Sequence, residues 1–570
     1  MALSFDEACA AVTAPDQPFA LVDAEIRGQT YKVFANAPAT LAAMFEQAAA
    51  RGDQDFLVYE DERWSFADVV AHGRSLANRL IADFGIQKGD RVAIAMRNYP
   101  EWITSFVGIV CAGGVAVPLN AWWGTDELAY GLTDSGAEVI IADQERLERI
   151  AVRLNDLGVR AIVVRCATGP AGATPYDSLI DLHAPAPDVD IEPDDDATIL
   201  YTSGTTGNAK GAVATHRCHT NALMGYWCRA TVDSMRAAAA KADAGIERSD
   251  DNDSTLPSFI LTVPLFHVTG CVPVMLGAFG IGTKLVMMFK WEPRRALELV
   301  EREQVTNFVG VPTMVQDVLE CADFDKYDTS SLKSIGGGGA PAAPDLVRRV
   351  DRTFRRGRPG IGYGMTETTA YGPQNGGDDY LAKPSSAGRA VPVMQMKVID
   401  EHGNDLPVNT QGEICFYGPT VIREYWNKPD ETAAVFLDGW LRSGDLGRID
   451  EDGFVFVEDR AKDVVIRAGE NIGCIEVEAA IAEHPSVYEV AVFGLPHQRL
   501  GEELACAIYL REGATLSVEE IQDHVGERLA AFKVPSVVII TEEMLPRSAQ
   551  GKILKRHIRD ELARQRTAAG

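Results

Sequence analysis

The sequence predicts an α/β protein in which parallel sheets are covered by helices, with a smaller α+β module after them. Three observations carry this. Over the first 190 residues, stretches with helical spacing alternate with short apolar runs, the pattern of parallel strands joined by helical crossovers. Near Asp459-Arg-Ala-Lys-Asp463 the character of the chain breaks, and about one hundred residues remain, enough for a separate small unit. The 570 residues are 46% hydrophobic and 24% charged, an ordinary balance for several globular domains with large cores.

Taken in order, Leu41, Met44 and Phe45 recur at helical spacing, and Phe56-Leu-Val-Tyr59 reads as a strand with a turn at Glu60-Asp-Glu62. Arg91-Val-Ala-Ile-Ala-Met96 and Val139-Ile-Ile-Ala142 read as buried strands, and Trp102 to Val117 as a helix feeding a strand. Pro185 to Asp196, acidic and broken by prolines, is a linker leading toward the Gly/Ser/Thr-rich stretch after Tyr201. Ala237 to Pro257 turns Ala-rich and then Asp/Ser-rich with nothing to bury, and is expected to be an exposed insertion. Apolar sequence returns at Phe259-Ile-Leu-Thr-Val-Pro-Leu-Phe-His267. In the last part, Ser517-Val-Glu-Glu520 is a capping box, and Ile521, Val525 and Leu529 keep one helical face apolar.

The formal net charge of −28 repels nucleic acid and anionic membranes unless basic residues cluster locally. Lys552, Lys555, Arg556, Arg559, Arg564 and Arg566 form one such cluster. A solvated helix with cations near its C-terminus and a site for an anionic cofactor account for it equally well. The ten cysteines show no paired spacing, and Cys111, Cys271, Cys415 and Cys506 sit in apolar runs. They read as small buried hydrophobes in a reducing compartment, with no disulfides and no structural zinc. The N-terminus carries no basic and apolar leader, and the run Phe106 to Leu119 is interrupted by Gly113, Gly114 and Pro118 and shorter than the roughly 20 residues of a membrane span. The expectation is a cytoplasmic protein without membrane insertion or nucleic-acid partner; a homodimer stays open.

The chemistry centres on Tyr201-Thr-Ser-Gly-Thr-Thr-Gly-Asn-Ala-Lys210-Gly211. Glycines let backbone N–H groups turn onto an anion, the hydroxyls of Thr202, Ser203, Thr205 and Thr206 donate to phosphate oxygens, and Lys210 adds a mobile charge. It is not a Walker loop, because Gly204 and Gly207 are three apart and Gly211, not Ser or Thr, comes after the lysine. Gly362-Tyr363-Gly364-Met365-Thr366-Glu367 places an acid after a tight turn, where Glu367 suits a hard cation such as Mg²⁺ bridging phosphate oxygens. Ser443-Gly444-Asp445 offers a carboxylate able to accept both hydroxyls of a ribose, or to make an Asx-turn.

Together and in this order these motifs resemble the adenylate-forming superfamily of acyl-CoA synthetases, luciferases and peptide-synthetase adenylation domains. The resemblance also rests on Pro264-Leu-Phe-His267, Gly336-Gly-Gly-Gly-Ala-Pro341, Gly412-Glu-Ile414, Leu441-Arg-Ser-Gly-Asp445, Asp459-Arg-Ala-Lys-Asp463, Gly469-Glu-Asn-Ile472 and Pro546-Arg-Ser-Ala-Gln-Gly-Lys552. It runs over nearly the whole chain.

The resemblance implies a large N-terminal domain, residues 1–459, of two covered sheets plus a distorted β-barrel, and a small mobile α+β C-terminal domain, residues 460–570. It implies two steps: a carboxylate attacks the α-phosphate of ATP to give an acyl-adenylate, and a thiol displaces AMP. The loop at 202–210, including Gly204 and Gly207, would hold the β- and γ-phosphates; Glu367 with Thr206 would place Mg²⁺. Asp445 with Arg460 would grip the ribose. Gly338, Ala340, Pro341, Tyr363, Gly364, Met365 and Thr366 would line the nucleotide slot, the tyrosine ring stacking on adenine. Lys552 matches the lysine that enters from the C-terminal domain to bridge carboxylate and α-phosphate.

In that family the C-terminal domain rotates between steps. Gly469 and Glu470 would then line the channel for the pantetheine arm of coenzyme A, with Lys462 at the hinge. The chain departs from the common pattern after Asn471-Ile472, where Gly473-Cys474 stands in place of a frequent proline. His267 resembles the position gating the acyl pocket, a buried structural histidine being the plain alternative. Gly310, Val311, Gly337 and Gly338 would place small residues along that pocket, or the four glycines serve a turn.

The expected activity is that of an ATP-dependent acyl-CoA synthetase acting on an apolar acid, a medium- to long-chain fatty acid ahead of an aryl or alicyclic one. The alternatives are a fatty acyl-AMP ligase loading a carrier protein and a nucleotide-binding regulator without turnover.

Overall fold

The structure is a computed structural model that describes residues 3–166, 170, 172–202, 209–243, 257–467 and 470–569. Two eight-stranded sheets form the large body. In the first, strands Val115–Pro118, Arg91–Ala95, Val139–Asp143 and Arg160–Val164 run parallel, and the antiparallel pair Asp196–Tyr201 and Gly211–Thr215 extends it. Alternate side chains of these strands enter two different cores. Val92, Ile94, Val139 and Ile141 face one, while Ala93, Ala95, Ile140 and Ala142 face the other. A sheet buried on both faces reads in sequence as unbroken apolar runs, which is why those strands were legible.

The outer core is closed by Leu128 and Leu132 of helix Thr125–Ser135 and Leu147 and Ile150 of helix Gln144–Leu157. The inner core is shared with the second sheet, whose order runs from Gln374–Gly376 through Arg358–Gly362, Ser334–Gly338, Asn307–Gly310, Ser258–Leu261, Lys284–Met287 and Asp55–Tyr59 to Glu62–Ser65. Helix Pro100–Cys111 is buried at all of its residues. No helix among the described residues is long and apolar enough to cross a membrane.

The expected distorted barrel corresponds to five antiparallel strands, Gln395–Ile399, Gly412–Tyr417, Trp440–Ile449, Phe436–Leu437 and Val455–Arg460. The C-terminal domain is a mixed five-stranded sheet around the long hairpin Val487–His497 and Gly501–Leu510. One face packs on helices Cys474–Ala482 and Val518–Gly526, the other on helix Lys555–Ala569. The capping box at Ser517 and Glu520 is formed, Ile521 and Val525 are buried, and Leu529 packs against them.

Three details differ from expectation. Glu62 belongs to a strand, so the turn after Tyr59 is a tight hairpin with Glu60 at φ 50°. The Ala-rich start of the expected insertion continues helix His216–Asp243, as the helix propensity of alanine favours; residues 244–256 lie outside the described residues. Three of the six tail cations are matched by acids: Lys555 pairs with Glu478 at 2.6 Å, and Arg556 and Arg559 with Asp560 at 3.6 and 2.7 Å. All ten cysteines are free thiols, with Cys111, Cys271, Cys415 and Cys506 buried.

Candidate active site

The phosphate-loop motif connects two antiparallel strands in which Tyr201 pairs with Gly211, and its neck is closed by the Thr202 N–H donating to the Lys210 carbonyl at 2.9 Å. Both ends are braced through Asp134. Tyr201 donates to that carboxylate at 2.8 Å, Lys428 at 3.0 Å and Tyr130 at 3.2 Å, and the Tyr130 hydroxyl also reaches the Ala209 carbonyl at 2.9 Å. Ser203, Gly204, Thr205, Thr206 and Gly207 lie outside the described residues. The Lys210 ammonium sits over the Tyr425 ring, 4.8 Å from its centre.

Tyr425 also holds the candidate metal acid. Its hydroxyl donates to Glu367 Oε1 at 2.6 Å, and Glu367 is only 8% exposed. Burial raises the Glu367 pKa against that hydrogen bond and against the charges of Arg460 and Lys210. Glu367 lies in the one-turn helix Thr366–Thr368, where the Met365 N–H is capped by the Thr368 hydroxyl at 3.1 Å. Thr369 and Ala370, both at positive φ, return the chain to Tyr371.

Tyr363 and Asp445 are joined directly: the phenol donates to Asp445 Oδ2 at 2.6 Å, while Arg460 Nε lies 3.3 Å from Oδ1. The strands put Asp445 opposite Arg460 in register. Burial raises the Asp445 pKa, and the Arg460 guanidinium and the tyrosine hydroxyl work against it. Beside them runs strand Ser334–Gly338, with Gly339 after it at φ 86°. A Cβ on Gly337 would stand 1.8 Å from the Gly310 carbonyl, and one on Gly338 2.4 Å from that of Gly362. These glycines therefore let strands close on one another. Gly310 is tightly surrounded by Thr262, Phe308 and Met314, and Val311 is buried. Ala340 is half-buried and Pro341 exposed.

Lys552 reaches this cradle. A Cβ on Gly339 would lie 3.1 Å from Lys552 Cε and 3.3 Å from Nζ, and one on Gly551 would lie 3.1 Å from Val311. The Gly551 carbonyl accepts from Thr313 at 2.9 Å, pinning the loop that carries the lysine. The Lys552 side chain is partly accessible at its surface, but the protein packed around it lowers its pKa to about 8, helped by Arg460 and opposed by Asp445. His267 is lowered to about 3, by burial first and then by the Lys552 charge, so it is neutral at ordinary pH. Its Nδ1 accepts from the Thr269 N–H at 3.2 Å, which leaves Nε2 carrying the proton. A π-helical segment, Gly270–Leu276, comes next, a form often found at functional sites.

Lys462, at the expected hinge, is exposed, and burial of its surroundings and the Arg460 charge lower its pKa. Glu470 is exposed at the start of strand Glu470–Ile472; Gly469 lies outside the described residues. The Gly473-Cys474 departure has a structural use. The Cys474 N–H donates to the Asp459 carboxylate and its thiol to the Asp463 carbonyl at 3.2 Å, the first of which a proline is unable to make. Tyr425, Asp134, Thr313 and Asp459 escaped sequence reading. Asp459 stands beside Arg460 in the motif ending at Asp463 but has no role read there, and no local pattern marks the other three.

A family model described as AMP-binding enzyme matches residues 44–426, and one described as AMP-binding enzyme C-terminal domain matches residues 476–552. The long-chain-fatty-acid–CoA ligase of Bacillus subtilis (strain 168) is 32% identical over 555 residues, which cover 92% of this chain and 94% of that protein. A feruloyl-CoA synthase of an Amycolatopsis species is 33% identical over 496 residues, 87% of this chain and 93% of the relative. The ATP-bound MatB structure from Rhodopseudomonas palustris superposes with a TM-score of 0.78 at 29% identity, covering 92% of this chain and 99% of that one.

Proposed function

Since this chain belongs to the AMP-binding enzyme family, whose acyl-CoA ligases are acid–thiol ligases, we propose that it is an ATP-dependent synthetase joining an apolar carboxylic acid, a medium- to long-chain fatty acid ahead of an aryl or alicyclic one, to coenzyme A. The observation that carries this reading is the arrival of Lys552 against Gly339, within electrostatic reach of Asp445, Arg460 and His267. An acid oxygen attacks the α-phosphorus of ATP as the bond to the bridging oxygen of pyrophosphate breaks. Lys552, already placed, offsets the charge that builds on those oxygens; contacts of this kind typically contribute about 10²–10³ in rate. The thiol of coenzyme A then adds to the acyl carbon, AMP departs and the thiol proton passes to solvent.

Asp445 and Arg460 hold the ribose, and the Tyr363 hydroxyl fixes the carboxylate so that both its oxygens are oriented before the nucleotide arrives. Glu367 fits a hard divalent cation, being a carboxylate held in a fixed place by Tyr425 and raised in pKa by its burial; with Thr206 it would hold Mg²⁺, which would neutralise phosphate charge. The neutral His267 offers one N–H to the acid rather than a cation, in keeping with an apolar substrate whose carboxylate is handled by Lys552. The body expected over 1–459, with Arg460 and Ala461 still laddered to its sheet, and the C-terminal unit after them act as a nucleotide holder and a lid that exchanges Lys552 for the Gly469 segment between the two steps.

The test is pyrophosphate exchange into ATP with a panel of carboxylic acids, and then thioester formation with free coenzyme A. The strongest response is expected from fatty acids. Exchange without thioester would transfer the acyl group to a carrier protein instead, and absence of acid-dependent exchange with every acid would refute the enzyme.

A further inference from the structure

Helix Pro312–Leu319 begins at the Gly310-Val311 wall and has two distinct faces. Met314, Val315 and Val318 are buried in the main core. Thr313, Gln316 and Asp317, with Glu320 just beyond the last turn, stand at i, i+3, i+4 and i+7, one stripe along the other side. Each member of the stripe bonds to the C-terminal domain. Thr313 donates to the Gly551 carbonyl at 2.9 Å and Gln316 to the Tyr488 carbonyl at 2.6 Å. Asp317 accepts from Arg547 at 2.9 and 3.2 Å and from the Tyr488 hydroxyl at 2.9 Å, and Glu320 pairs with Arg511.

Both acids also keep a partner on their own body, and so do the two arginines that face them. Trp291 Nε1 donates to Asp317 at 2.9 Å, and Arg349 pairs with Glu320. On the opposite side Arg547 pairs with Glu489, and Arg511 donates to the Pro485 carbonyl at 3.0 Å. Breaking a buried ion pair is costly when it leaves a charge bare. Here separation leaves Arg547 on Glu489 and Glu320 on Arg349, while Asp317 keeps only the neutral Trp291 N–H, so the contact between Asp317 and Arg547 is the one costly to lose. Asp317, only 8% exposed, is its centre, and the Arg547 it holds lies five residues before Lys552.

We propose that Asp317 is a positioning residue for the adenylation step: with the polar stripe of helix Pro312–Leu319 it docks the C-terminal domain through Arg547 and so sets Lys552 over Gly339. This rests on the adenylation role of Lys552. Asp317 touches no substrate; it acts through Arg547 on the placement of the lysine.

Asp317→Asn is expected to lower kcat for acid-dependent pyrophosphate exchange about 10- to 100-fold, the range for losing a buried charged hydrogen bond, with KM for ATP within about threefold. Thioester formation from supplied acyl-adenylate stays near the wild-type rate, which general damage to the fold would not spare. Arg547→Lys gives the same selective loss from the other side of the contact, and Asp317→Asn/Arg547→Lys loses no more than the worse single variant. Asp317→Glu recovers part of the exchange rate. Unchanged exchange in Asp317→Asn, equal loss of both half-reactions, or additive losses in the double variant overturns the dock. Lys552→Ala run alongside separates the two ideas: if that variant keeps full exchange, the role given to the lysine fails first.

Discussion

The pH dependence of adenylation tests the placement of Lys552 most directly. Its ammonium is held at a pKa of about 8, well below the ordinary 10.5, because protein surrounds it and Arg460 adds like charge, Asp445 compensating only in part. In the free enzyme roughly nine-tenths of the lysine is charged at pH 7 and about one-tenth at pH 9. Only the charged form stabilises the transition state, so kcat/KM for pyrophosphate exchange, which reports the free enzyme, is expected to fall about tenfold between these values. Binding ATP and the acid carboxylate brings anions beside the ammonium and moves its pKa back up, so kcat should stay level until about one or two pH units higher. The assay is exchange of labelled pyrophosphate at subsaturating and saturating ATP over the range from pH 6 to 10. The residual activity of Lys552→Ala should lack the alkaline limb. A flat kcat/KM through pH 9, or the same limb in Lys552→Ala, would refute the reasoning.

Lys552→Ala should cut adenylate formation by about 10²–10³ while leaving thioester formation from supplied acyl-adenylate largely intact; equal loss in both assays contradicts the role. Tyr425→Phe removes the hydroxyl that Glu367 accepts at 2.6 Å, and the Mg²⁺ concentration for half-maximal exchange should rise about tenfold; an unchanged Mg²⁺ titration disconnects the pair from the metal. Burial raises Asp459 from 3.8 to about 6 against the N–H groups of Arg460 and Cys474. A carboxyl raised in the folded state contributes stability that is full below its unfolded pKa and lost as pH rises through about 6. Wild type should therefore gain about 1 kcal/mol more than Asp459→Asn between pH 7 and 5 in urea unfolding, and parallel curves would show that Asp459 does not titrate there.

How much of the molecule was legible in its sequence depends on how each feature is built. Strands such as Arg91–Ala95 and Val139–Asp143 show as apolar runs because both faces are buried, and the site motifs show because tight turns and close backbone approach admit few residue types. Features that depend on distant partners stayed hidden. The glycines from 336 to 338 read either as small residues along a pocket or as a turn; nothing local announces that a Cβ on each would meet a carbonyl of a neighbouring strand, at Gly360, Gly310 and Gly362. The tail cations read as a basic patch, yet Lys555 is matched by Glu478, which no local pattern announces. Tyr425 and Asp317 sit in unremarkable stretches and acquire meaning only when folding brings Glu367 and Arg547 to them.

The position of Arg460 reconciles the proposed nucleotide grip with a C-terminal domain proposed to move. Arg460 is the last residue of strand Val455–Arg460 and faces Asp445 in register, and the next N–H, that of Ala461, still donates to the Gly444 carbonyl at 3.0 Å. The N–H groups of Asp463 and Val464 then turn back onto the Arg460 carbonyl at 2.9 and 3.2 Å. Attachment to the large body through this ladder therefore ends at Ala461, one residue before Lys462. A rotation about Lys462 would carry away Lys552 together with Gly551 and Arg547, which meet Thr313 and Asp317 of the large body, while Arg460, Asp445 and Tyr363 remain on the sheet. An acyl-adenylate could then keep its ribose contacts as the lysine leaves, which a reaction in two steps on one bound intermediate requires.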